Sequence, residues 1–386
     1  MSNAYDLRKQ REIETFSKIV NIHALPEIFH HWSNTYTLPA LIEVFGVTTI
    51  SDFYAQAIRQ SAPAGAARIL SIGCGYGDTE FGVARALLAS GYSDFELICA
   101  DISPVLIDRL RDTLPADLKG HITPVVADLN AVDLPGQFSC VMANHSLHHI
   151  EGLEHLFDYV RDRLTDSGLL ATSDVIGRNG HMRWPEAEAF LQVIWQIMPE
   201  HQRVNRQLSR YEPRFTDHDC STEGFEGVRA QDILPLILER LHPQRFVGYG
   251  GGLIDLLTDR SFGHNFDPQN PHDVAFIDAV AKLTDLLVDA GVLKPTHMFA
   301  YFSKDDVGET FFRHRSAARS VRDPADQTPW AAPVLDVPFV APTTLDLTAP
   351  TPEPPTGLPE AQAPASPLAA AEPSSRFRWV RKLIGA

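Results

Sequence analysis

The chain has 386 residues, 44% hydrophobic and 21% charged, with a formal net charge of −16. That length can bury one large α/β core with appendages, or two modest domains. The acidity disfavours sequence-independent nucleic-acid binding, which needs basic residues to replace phosphate counterions. The start, "MSNAYDLRKQREIETF", is polar and amphipathic, and no apolar run approaches bilayer-spanning length. Cys74, Cys99, Cys140 and Cys220 form no CxxC pair, so a reduced, cytoplasmic protein is expected.

Residues 1–64 read as a helical N-terminal cap, with aromatics and aliphatics at helical spacing in "LPEIFHHWSNTYTLPALIEVFG". From Arg68 the pattern changes to "RILSI", a short apolar strand, then a glycine loop and the helix "TEFGVARALLAS". "FELICA" is a second strand ending at Asp101, and Ser103 caps the next helix. "ITPVVAD", "FSCVMAN" and "LLATSDVI" give three more strands, with the helix "LEHLFDYVRDRL" before the last. Residues 177–230, rich in Arg, His, Trp and Asp, read as an insertion over one face. "RFVGYGG" and "HMFAYFS" complete seven strands within a domain spanning 65–304. Such alternation predicts a doubly wound, Rossmann-like α/β fold with a mostly parallel sheet. Proline and alanine then dominate, so 305–374 reads as a disordered linker that cannot repay its ordering entropy. Residues 375–386 interleave basic and aromatic side chains, which suits an amphipathic anchor for a membrane surface or an acidic partner.

The loop "GCGYG" carries Gly73, Gly75 and Gly77 between a strand and a helix, where backbone can approach a ligand at the positive helix end. The dinucleotide fingerprint wants glycine where Asp78 stands, and no phosphate-loop lysine follows. Asp78, Glu80 and Asp101 would repel a pyrophosphate, but suit ribose hydroxyls, an ammonium and a sulfonium. Those features belong to S-adenosylmethionine.

The stretch 65–176 resembles the class I S-adenosylmethionine-dependent methyltransferases, with a weaker likeness to about residue 304. The resemblance implies that Gly73, Gly75 and Gly77 wrap the methionine end and that Asp101, with Ile102 beside it, holds the ribose. It also implies that Asp128 and Leu129 meet the adenine, and that Asn144 lies in the segment bordering the cofactor. Ser71 departs from the family, standing where many members carry an acid that supports the methionine amine. A non-catalytic, methyltransferase-like binding subunit docking partners through its tail is the competing expectation.

The fourth strand ends in "ANHSLHH" rather than in the signatures of amino- or cytosine-methylating nucleic-acid enzymes. A small-molecule, sugar (glycan-type) or lipid-linked acceptor is therefore expected, with O-methylation. Imidazole suits a base near neutral pH, which makes His148 the leading candidate and His181 and His218 alternates. His149 is expected to point elsewhere. Arg178, Arg183, Trp184 and Tyr211 suit an anionic acceptor with a ring face. The run "DHDC" at 217–220 lacks a second close-spaced ligand pair, so no metal is expected.

Overall fold

The computed structural model describes residues 3–18, 25–222, 224–322 and 343–344. At the N-terminus lies α1 (Asn3–Lys18), followed by α2 (Glu27–Trp32), a π turn, α3 (Leu38–Phe45) and α4 (Ile50–Ser61). Gly46, in the left-handed region at φ 71, ends α3, and Thr49 caps α4 by accepting from the Asp52 amide. The span Glu27–Ser61 is long and apolar enough to cross a membrane by composition, contrary to the sequence expectation. Half of its most apolar 18-residue window is buried, and Phe53 and Tyr54 within the span are fully enclosed, so it packs as a core layer.

The sheet begins with β1 (Ala67–Ile72), α5 (Asp78–Ala89), β2 (Phe95–Asp101), α6 (Pro104–Thr113), β3 (Ile122–Val126) and β4 (Phe138–Asn144). It continues through α7 (Leu153–Arg163), β5 (Leu164–Val175), α8 (Pro185–Ile197), β6 (Val204–Asn205) and β7 (Arg210–Tyr211). The remaining elements are α9 (Ala230–Leu238), β8 (His242–Tyr249), α10 (Ile254–Thr258), α11 (Pro271–Asp289), β9 (His297–Ser303), β10 (Thr310–Phe311), α12 (Ala317–Ser320) and β11 (Thr343–Thr344).

The strand order is β10-β8-β9-β5-β4-β1-β2-β3, parallel except for β9, which runs antiparallel to both β5 and β8. Central strands are buried on both faces, which explains why they read as continuous apolar runs. The order reverses between β1 and β4, and the site forms outside the carboxyl ends of those strands. Two apolar layers, one built around Phe53, Trp195 and Phe299 and the other around Phe157, Ile233 and Phe302, sandwich the sheet.

Three sequence expectations change. The sheet has eight strands rather than seven, because Thr310–Phe311 adds a short parallel edge to β8. The expected linker begins later than residue 305. Buried Arg315 reaches Asp285 at 2.8 Å and Asp289 at 2.7 Å, and so ties residues 305–322 to α11. The insertion is also not all irregular, since α8 buries Trp195 against Phe215 and Phe262. The proposed anchor at 375–386, and the linker apart from 305–322 and 343–344, lie outside the described residues.

Candidate active site

The glycine loop leaves β1 with Gly73 at φ 66 and Gly75 at φ 56, in the region that side-chain-bearing residues rarely adopt. A Cβ on Gly73 would sit 2.4 Å from that of Ser146, so two loops meet here at backbone distance. Ser146 Oγ donates to the Ile72 carbonyl at 2.6 Å and pins the end of β4 to the end of β1. A Cβ on Gly75 would meet nothing within 4 Å, so the loop is a cradle with open space above it. The Gly75 amide donates to Asp101 Oδ2 at 2.9 Å, and the Ser103 amide to Oδ1 at 2.8 Å. A carboxylate has about four acceptor positions, so Asp101 keeps capacity for two hydroxyls. Burial raises its pKa, against the lowering by those two amides.

Glu80 answers the missing acid at Ser71. The Ser71 hydroxyl donates to Glu80 Oε1 at 2.6 Å, so helix α5 brings a carboxylate to the place the strand lacks one. Glu80 is 2% exposed, and its Oε2 has no hydrogen-bond partner among the described residues. Burial lifts its pKa to about 7, against the Ser71 hydrogen bond. A lone buried acceptor beside the cradle fits a ligand ammonium. Asp78, by contrast, is exposed, whereas Ile102 and Asn144 are half-buried at the strand ends.

Asp128 is not free for adenine alone. Tyr5 Oη donates to both of its oxygens, at 2.8 and 2.9 Å, and Lys9 Nζ lies 2.9 Å from Oδ2. Burial raises its pKa, but the Lys9 and Tyr5 contacts outweigh that and leave it lowered. The buried Leu129 follows in a short turn. Helix α1 thus lies across the cofactor side of the site, with Arg8 paired to Glu151. Nothing in the residue pattern of α1 announces this contact.

A histidine–carboxylate cluster stands beside the cradle. Leu147–His149 form one turn of 3-10 helix directly after Ser146. His148 Nδ1 donates to Asp174 Oδ1 at 2.6 Å. Asp174 is wholly buried at the end of β5 and also accepts from the amides of Ser146, Leu147 and Val175. Burial raises its pKa, but His148 and those amides bring it down to about 2. On the far side, His148 Nε2 lies 3.5 Å from Glu226 Oε1, and His181 Nε2 lies 2.6 Å from the same oxygen. His149, expected to point away, joins instead: Nε2 is 3.7 Å from Glu226 Oε2 and Nδ1 is 2.7 Å from Glu12 Oε1.

The two expected bases differ in their surroundings. Burial lowers the His148 pKa, but the carboxylates of Asp174 and Glu226 raise it to about 10 and so favour its charged form. Burial lowers His181, outweighing Glu226, and leaves that imidazole neutral. His181 and Glu226 also form the open edge, with side chains 25% and 40% exposed. His145 and His181 hold positive φ, 50° and 55°, a costly conformation that clusters at functional sites.

Other predicted residues fall elsewhere. His218 is exposed on the insertion loop, and Asp219 beside it accepts from Ser221. Buried Arg183 spends its guanidinium on the carbonyls of Gly252 and His181, so it braces the loop. Trp184 lies between Arg322 at 4.2 Å and Arg178 at 5.8 Å, so its ring face is already stacked. Tyr211 sits in the small antiparallel sheet β11-β7-β6.

Residues 70–170 match the methyltransferase-domain family model. The description of that model is a methyltransferase domain, and the match covers about a quarter of the chain. The open cradle at Gly75, the spare acceptors of Asp101 and the Glu80 oxygen that has no partner among the described residues fit S-adenosylmethionine, the cofactor expected from the sequence. The chain is 38% identical over 80 residues to magnesium-protoporphyrin O-methyltransferase of Rhodobacter capsulatus, a stretch covering 21% of this chain and 32% of the relative. The match thus spans about a third of that relative's length. A structure from Galdieria sulphuraria, provisionally named a sarcosine dimethylglycine methyltransferase, aligns with 68% of this chain and 86% of its own, at 16% identity and TM-score 0.40. The glycopeptide N-methyltransferase MtfA, complexed with sinefungin, aligns with 36% of this chain and 58% of its own, at 21% identity and TM-score 0.28.

Proposed function

We propose that the chain is a methyltransferase that methylates an oxygen of a small-molecule or glycan-type acceptor. The observation that carries this reading is the cluster of His148, His149, His181, Asp174 and Glu226, two residues along the chain from the Ser146–Gly73 contact. A hydroxyl must lose its proton as it is methylated, and an amine need not. Four imidazole–carboxylate contacts beside a methyl-donor cradle are suited to removing that proton. The Rhodobacter relative is an O-methyltransferase by name, which agrees with this over the stretch it shares.

When bound, the cofactor supplies a methyl group on a sulfonium: the acceptor oxygen bonds to the methyl carbon and the carbon–sulfur pair stays on sulfur. Gly75 and Asp101 hold the cofactor end of the site, and Glu80 faces a positive group. Asp174 fixes His148 and the turn that carries it, so the cluster keeps its place without reorganising during reaction. The acceptor enters at the His181–Glu226 edge. Helix α1, tied down by Tyr5, Lys9 and Glu12, covers the other side and limits water. The net charge of −16 argues for a small acceptor over a nucleic acid, and the free cysteines support a reducing, cytoplasmic setting.

The test incubates the full chain with methyl-labelled S-adenosylmethionine and a small-molecule extract. Label is expected in hydroxyl-bearing products. Label found only in amines, or no transfer at all, contradicts the proposal.

A further inference from the structure

We propose that His148, His181 and Glu226 form a binding site for a divalent first-row transition ion of the zinc type. The ligating atoms of His148, His181 and Glu226 all lie within 4.8 Å of one another. Ligands held about 2 Å from one ion stand about 3–3.5 Å apart. The 3.5 Å between His148 Nε2 and Glu226 already has that value. His181 needs to part from Glu226 by less than about 1 Å from its present 2.6 Å.

The surroundings fit an ion more closely than they fit a plain hydrogen-bond network. Imidazoles that ligate metals almost always turn their other nitrogen to a carboxylate or carbonyl, which fixes the ring and its basicity. Here His148 Nδ1 faces Asp174 at 2.6 Å while its Nε2 looks toward Glu226. Asp174 is itself locked by three backbone amides and so serves as support rather than as a ligand. His181 comes from the insertion, about thirty residues on, through a left-handed backbone at φ 55. That cost is borne to bring one more nitrogen to the carboxylate that His148 faces.

Donor chemistry selects the ion. Two imidazole nitrogens and one carboxylate suit zinc or iron(II), whereas magnesium and calcium want oxygen shells. The partly exposed edge at His181 and Glu226 leaves room for an exchangeable position. A hydroxyl taking that position would be acidified by the ion, as a metal-bound water is. This role rests on the O-methylation reading, while the binding itself does not. The "DHDC" run, at which no metal is expected from the sequence, is not part of the cluster.

The experiment uses the full chain, dialysed against a chelator and then titrated by calorimetry with zinc sulfate, and with cobalt chloride for its visible absorption. About one zinc ion per chain is expected, with a tetrahedral-type cobalt spectrum. Glu226→Gln and His181→Gln should each weaken binding by about tenfold or more, while His218→Ala leaves it unchanged. Glu226→Gln lies at the partly exposed edge, so an unaltered circular dichroism spectrum in that variant separates ligand loss from unfolding. No saturable zinc, or equal binding in wild type, Glu226→Gln and His181→Gln, overturns the site. Binding lost in His218→Ala but kept in Glu226→Gln places the ion on the 217–220 loop and also overturns it. Intact zinc binding without methyl transfer to oxygen counts against the O-methylation reading alone.

Discussion

The two halves of the site are built differently. The cofactor half comes from adjacent parallel strands: the loop after β1 and the acid ending β2 meet through one 2.9 Å hydrogen bond from Gly75 to Asp101. The acceptor half draws Glu12 from α1, His148 and His149 from the turn after β4, Asp174 from β5, and His181 and Glu226 from the insertion. The first half is a local motif with open space and an unpartnered acid. The second is a long-range network whose charges are already matched. Binding the donor and activating the acceptor should therefore fail separately when residues are changed.

The largest expected effect falls on the acceptor half. Asp174→Asn removes the charge that holds His148 while keeping the side chain's shape. It should lower kcat by about a hundredfold or more with KM for the cofactor little changed. An equal loss in both parameters would show that the halves are not separable.

Gly73→Ala strikes the seam between them. The new Cβ would clash with Ser146 at 2.4 Å, on a backbone at φ 66. A loss of about 2–4 kcal/mol in unfolding free energy is expected from overpacking and strain together. A variant as stable as wild type in denaturant melts would mean the loops are less tightly apposed than described.

Glu80 sharpens the account of the cofactor half. Its folded pKa, lifted by burial to about 7 from 4.5, means that the folded chain binds this proton more tightly than the unfolded one. The associated stability is present below about pH 4.5 and is lost as pH rises to about 7. Glu80→Gln should gain on wild type by about 2–3 kcal/mol across that window. Thermal melts of both proteins from pH 4.5 to 8 measure this, and parallel curves would remove the buried, unpartnered carboxylate from the account. The smallest effect concerns α1. Lys9 and Asp128 are partly exposed, so Lys9→Ala should change S-adenosylhomocysteine affinity by about threefold or less. A larger change would make α1 part of the cofactor half.

The same contrast explains what the sequence revealed. Strands β1, β2 and β4 are mostly buried and close at Gly73, Asp101 and Asn144, so their apolar runs and ends were readable. The edge strand Thr310–Phe311 has two exposed residues and no periodicity to read. Residues 305–322 border a Pro- and Ala-rich composition, which hid the pairing of Arg315 with α11. In the site, His148 and His181 were legible as candidates, but their charge states were not, because Asp174 and Glu226 meet them only through the fold. Asp174 did leave a trace, as an acid within the apolar run "LLATSDVI". Glu226 and Glu12 left none. His149 was misplaced because one carboxylate, reached from the insertion, gathers both neighbours of the 3-10 turn, bringing their ring centroids to 4.3 Å.

The separability of the halves is tested most directly by calorimetry with S-adenosylhomocysteine on wild type, Asp101→Ala and His148→Ala. Wild type should bind, Asp101→Ala should lose about tenfold or more in affinity, and His148→Ala should stay within about threefold. Absence of binding by the wild-type chain, or equal losses in the two variants, would contradict the account.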